Sequence, residues 1–101
     1  MNSPVPILVR ESLLTLGSRV ALARRARELT QIDLARLADV GVSTVASLEA
    51  GHHGVSLGNL LKVLKALELL EQVNAWLLPG MDEAVVSQGI RAATRGAGRR
   101  G

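Results

Sequence analysis

The stretch that most limits what this chain can fold into is TQIDLARLADVGVSTVASLEAG, residues 30–51. Thr30 carries a hydroxyl suited to capping a helix N-terminus, and Asp33, three residues on, is the acidic partner of a capping box. Ile32, Leu34, Ala35, Leu37 and Ala38 then crowd one side of a short helix. Asp39, Val40 and Gly41 break that pattern where the chain must change direction. A second helical run follows, with Val45 and Leu48 on an inward face and Val42, Ser43, Ala46 and Ser47 pointing outward. Gly51 closes it as a residue free to take positive φ. Helices this short are unstable alone, so both must pack into a common core.

Two short helices, a tight turn and small side chains on the outer face of the second describe a helix-turn-helix, whose second helix enters the major groove of DNA. The stretch resembles the phage-repressor/Cro type of helix-turn-helix domain, the Xre-like family. Thr30-Gln31, Leu34-Ala35, Ser43-Thr44, Glu49 and Gly51 match that family's pattern at the right offsets. Arg24, seven residues before Gln31, matches the family's first-helix arginine, which pairs with the glutamate matched by Glu49. The similarity covers about residues 16–70. It implies an all-α, five-helix repressor-like DNA-binding domain.

Composition sets the outer limits. At 101 residues the chain is one domain by length, and an apolar share of 48% is enough for a core. Aliphatic residues without Phe or Tyr favour helices. Charge interrupts the apolar runs well short of the ~20 residues of a membrane span, and no signal peptide is visible. The lack of cysteine removes disulfides and thiolate-zinc sites and fits a cytoplasmic location. The net charge of +3 is small for a DNA binder, and residues 81–101 hold most of it. A monomer so weakly charged should bind DNA weakly, and dimerisation would double its contacts.

Three segments are expected. Residues 1–15 form a partly helical N-terminal extension, 16–78 the helix-turn-helix DNA-binding domain, and 79–101 a basic, largely disordered C-terminal tail. The pattern is helical over residues 8–28, with a bend expected near Gly17. Ser56 is placed to cap a further helix in which Leu57, Leu60, Leu61, Leu64 and Leu67 form a core-facing stripe. A fifth helix over residues 70–77 stops at Pro79-Gly80. The expected core is Leu34, Ala35, Leu37, Val45, Leu48, Leu60, Leu61 and Leu64.

Candidate functional residues follow from the motif. By resemblance, Gln31 touches a DNA phosphate from the start of the first motif helix. Val42, Ser43, Thr44, Ala46 and Ser47 form the recognition surface. Their hydroxyls can bond to bases or phosphates, and the apolar members can meet a thymine methyl. No Arg, Lys, Gln or Asn stands among residues 42–48, so direct base reading is modest and DNA shape contributes more. His52, His53, the Gly54 N–H and Asn59 are candidates for the DNA backbone. Adjacent histidines can suggest metal, but no carboxylate or cysteine is spaced to complete a site, so neither metal nor cofactor is expected. Arg24 and Glu49 are read as a structural ion pair. Arg19, Arg25, Arg36, Lys62 and Lys65 are free to touch phosphate or simply to be solvated. Trp76, the only aromatic, is either a core filler or, with Val73 and Leu77, part of a dimer contact. No catalytic constellation is present, and the chain does not read as an enzyme.

Two functions compete. The first is a sequence-specific, homodimeric DNA-binding repressor of double-stranded DNA. Within that class the spacing Glu49-Ala50-Gly51-x-x-x-Val55-Ser56-Leu57, with LLKVLKALELLEQVNAWL after it, resembles HipB-type antitoxins. That resemblance implies autorepression and a HipA-type kinase toxin as partner. The second is a helical protein-interaction module whose DNA surface is weak or lost.

Overall fold

The computed structural model describes residues 4–99, and all regular structure among them is helical. Helix α1 spans Ile7–Ala26, α2 Gln31–Ala38, α3 Val42–Glu49, α4 Leu57–Ala66 and α5 Leu70–Asn74; a 3-10 turn at Pro79–Met81 precedes α6, Glu83–Arg99. The described residues divide into two compact units at Leu70. The first holds α1 to α4.

In the first unit α3 packs between α1 and α2, and α4 lies against α2. Leu34, Val45, Val63 and Leu67 are wholly enclosed, with Val20, Ala21, Ala35, Ala38, Leu48 and Leu64 completing the core. Leu37 was expected inside and is 62% exposed. The inward face of α2 is set by Leu34, Ala35 and Ala38, and at 3.6 residues per turn Leu37 sits roughly 110° away from its centre. Ile32 is exposed for the same reason. In α4, Val63 and Leu67 take the deepest positions beside Leu64, while Leu60 and Leu61 are only half-buried. Helix α1 continues through Gly17 without interruption.

Four helices of this unit end in the same way. The N–H groups of Leu29, Val40, His52 and Leu69 donate to the carbonyls of Arg24, Ala35, Ser47 and Leu64, at 3.2, 3.0, 2.9 and 2.8 Å. Each closure needs the residue before the donor in the left-handed region, and these are Glu28, Asp39, Gly51 and Glu68. Only Gly51 escapes the cost of a Cβ there, roughly 1–2 kcal/mol. Glu68→Gly is therefore expected to stabilise the fold by about 1 kcal/mol and to raise the melting temperature by roughly 4–8 °C. A lower melting temperature would show that the Glu68 side chain contributes more than its backbone strain.

In the second unit the fifth helix stops at Asn74, short of the expected residue 77. The N–H groups of Ala75 and Trp76 donate three residues back, to Gln72 and Val73, and Leu77 turns left-handed at φ 56°. Leu78 precedes Pro79 and so cannot be helical without a clash. The tail, expected as largely disordered, instead forms α6, a sixth helix beyond the five expected. Asp82 begins it by accepting from the N–H groups of Ala84 and Val85, at 2.9 and 3.4 Å. In the run that follows, Glu83, Ala84, Gln88 and Arg91 are good helix formers, and Val86 and Ile90 stand four residues apart on one face, while Gly89 works against the helix. The last two residues of the Gly/Arg-rich end lie outside the described residues.

Candidate nucleic-acid interface

Thr30 and Asp33 form the anticipated capping box. The Thr30 hydroxyl accepts from the Asp33 N–H at 3.0 Å, and the Asp33 carboxylate accepts from the Thr30 N–H at 2.8 Å. That backbone hydrogen bond from Thr30, aided by the Thr30 hydroxyl, lowers the carboxyl's pKa. Asp39, left-handed at the end of α2, redirects the chain, and Lys62 on α4 donates to its carbonyl at 2.7 Å. The turn is thereby tied to α4, and Lys62 is engaged there rather than left as a free phosphate ligand. Gly41 caps α3 with no side chain, so the start of α3 is unobstructed.

On α3, Val45 and Leu48 face the core. Val42 and Ser43 are exposed, while Thr44, Ala46 and Ser47 are half-buried. Ser43, Thr44 and Ser47 line a shallow depression of about 280 Å³ together with His52, Gly54, Val55, Ser56 and Asn59. Five of the nine expected DNA-contacting residues therefore meet at one place. The depression is rich in hydroxyls and amides and contains no carboxylate, as an oxyanion surface requires. Ser56 joins it while capping α4, its hydroxyl accepting from the Asn59 N–H at 3.1 Å. Its place in the sequence marked it as a cap but not as part of this surface.

The loop after α3 differs from expectation in one respect. The Gly54 N–H is not left for phosphate, because it donates to Nδ1 of His52 at 2.9 Å. The His52 ring is thus fixed with Nε2 facing away from that bond, and His53 stacks on it with centroids 4.9 Å apart.

Behind this surface lies the Arg24–Glu49 pair. Arg24 Nε donates to Glu49 Oε2 at 2.7 Å and Nη2 to Oε1 at 2.9 Å, while Nη1 donates to the Leu29 carbonyl at 2.8 Å. The pair is buried and joins α1, the chain entering α2, and the last turn of α3. Gln31 joins it, its Nε2 donating to Glu49 Oε1 at 3.0 Å. Gln31 was read as a phosphate ligand alone, and the structure gives it this second attachment. Hydrogen bonding to Glu49 raises the Arg24 pKa. Burial pushes the Glu49 carboxyl up, but hydrogen bonds from Arg24 and Gln31, with the nearby arginine charges, outweigh it and hold the group below its usual 4.5.

A family model described as helix-turn-helix matches residues 20–71, more than half of the chain. The chain belongs to the helix-turn-helix family. It is of the Cro/C1 type, and membership makes it a DNA-binding transcriptional regulator. Among curated proteins and solved structures, nothing matches it. The matched residues of this helix-turn-helix regulator take in the last two turns of α1 and all of α2 to α4, and exclude the N-terminal part of α1 and nearly all of the second unit. No helix among the described residues is long and apolar enough to cross a membrane. None of their His, Asp and Glu side chains cluster as a metal site. Of the residues expected at a dimer contact, Val73 is half-buried, Trp76 is 48% exposed and Leu77 is 97% exposed.

Proposed function

We propose that this regulator is a sequence-specific repressor that works in the cytoplasm as a homodimer and acts on its own promoter. The observation that carries the reading is the carboxylate-free depression beside α3, where Ser43, Thr44, Ser47, His52 and Asn59 present donors on one surface. Val42 and Ser43 enter the major groove, Ala46 lies behind them, and the His52, His53 and Asn59 side chains meet the backbone. Gln31 Nε2 has a second hydrogen, which donates to phosphate while the first remains on Glu49.

One copy has little with which to read bases, so two copies on a two-fold axis are needed, contacting half-sites about one helical turn apart. The second unit supplies apolar surface for pairing: Trp76, Leu77, Met81, Val85 and Ile90 are all exposed. Within this class the resemblance to HipB-type antitoxins assigns the chain a HipA-type kinase toxin as partner, docked on surface that the dimer leaves open. A protein-interaction module with a weakened DNA surface is the competing reading, favoured by the absence of any long polar side chain on residues 42–48.

Fluorescence anisotropy with a duplex from the chain's own upstream region and a random duplex decides between them. The wild type is expected to prefer the upstream duplex by at least about 10³-fold. Ser43→Glu, a change at an exposed position, should abolish that binding without lowering the melting temperature. Sedimentation should give about twice the 10.7 kDa chain mass. Equal affinity for the two duplexes removes sequence-specific repression, and a tight-binding monomer removes the dimer.

A further inference from the structure

The family match begins at residue 20, yet α1 begins at Ile7, so more than three turns of helix precede the matched domain. Those turns do not project alone. They run beside the loop that follows α3 and enclose with it a pocket of about 460 Å³. Val5, Leu13 and Leu14 supply apolar walls, and Arg10, His52 and His53 supply the polar groups. Leu14 is pressed against Gly51, where an added Cβ would come within 3.0 Å of the Leu14 backbone, so the two walls are held in fixed register. Arg10 is exposed and has no ion pair among the described residues. No carboxylate lines the pocket.

We infer that this pocket is a second phosphate site, which receives the DNA backbone and has Arg10 as its anchoring cation. The inference rests on the DNA-binding reading above and extends the footprint beyond the family domain. Two features favour DNA over a free small anion. His52 lines both this pocket and the depression beside α3, so the two meet at that residue, and no carboxylate lines either of them. The walls also suit a sugar-phosphate chain: a guanidinium takes phosphate oxygens in a fork, and the leucine side chains meet the apolar face of deoxyribose.

The test is a salt series of anisotropy titrations on the full chain, with the upstream and the random duplex. Arg10→Ala should weaken binding to both duplexes alike, because phosphate contacts carry no sequence information. It should also reduce the slope of log affinity against log salt by about 0.9 per site, and Arg10→Glu should weaken binding further. Melting temperatures should not change. Arg91→Ala removes the same charge from the second unit and should leave the slope alone. An unchanged slope in both Arg10 variants, or an equal change in Arg91→Ala, overturns the inference while leaving the recognition helix untouched. Amide shifts at Gly51, His52 and His53 on titration with inorganic phosphate, with the DNA slope unaltered by Arg10→Ala, assign the pocket to a free anion and likewise overturn it. Wild-type chain that binds neither duplex overturns the repressor reading and this one with it.

Discussion

Arg24→Ala is expected to destabilise the fold by about 3–5 kcal/mol, a large share of what a domain this size possesses. The guanidinium satisfies both oxygens of Glu49 and the carbonyl of Leu29. Its removal leaves a buried carboxylate with Gln31 as its remaining side-chain partner, and strips the Leu29 carbonyl of that donor. The pH dependence gives an independent check. Glu49 has a folded pKa below 4.5, so its contribution is fully present above that value and is lost as pH falls through the folded pKa. In the variant, burial is no longer outweighed by Arg24 and the Glu49 pKa rises, so acid relieves the unpaired charge instead. Urea melts at pH 7 and pH 4 should therefore show a wide gap between wild type and variant at pH 7 that narrows at pH 4. Equal midpoints at pH 7 would remove the ion pair as a stabilising element.

The same pair shows where the sequence was informative. Arg24 and Glu49 are 25 residues apart, and only the resemblance joined them. The capping box at Thr30 and Asp33 needed no resemblance, because both partners lie within one turn. Local signals of that kind also marked Ser56 and Gly51. They failed where the residue did not advertise its backbone: Glu28, Asp39 and Glu68 are left-handed like Gly51, but carry side chains ordinarily found within helices or turns. Burial was misread at Leu37, because the docking angle of a two-turn helix decides which edge of an apolar face is covered. The five candidates that gather in the depression were open to sequence reasoning because four of them lie on α3 and its following loop, and Asn59 stands at the start of the next helix. Arg10 was not, since its place beside His52 and His53 depends on how far α1 extends past α3. The Gln31–Glu49 bond was hidden for a similar reason, requiring α2 and α3 to be docked before it could be inferred.

Gly17→Ala is expected to be the other severe substitution, with a sign opposite to what helix propensity dictates. Inside a helix, Gly to Ala ordinarily stabilises by about 1 kcal/mol. Here an added Cβ would stand 2.5 Å from the Leu48 carbonyl oxygen, 2.6 Å from that of Glu49 and 2.9 Å from the Glu49 carbonyl carbon. All three are backbone atoms of the last turn of α3, so no rotamer change can clear them. The helices must separate, and separation pulls Arg24 from Glu49 and loosens the packing of Leu48. Overpacking of this kind costs about 1–3 kcal/mol by itself, and the strained ion pair adds to it, so the propensity gain is overwhelmed. Gly58→Ala is the matched control, because in α4 the same Cβ meets nothing within 4 Å and should gain stability. Thermal melts of the two variants should move in opposite directions. Since α3 is the element displaced, Gly17→Ala should also weaken operator binding at temperatures where the chain is still folded. A melting temperature raised by both substitutions would mean that α1 and α3 do not approach as closely as their backbones indicate.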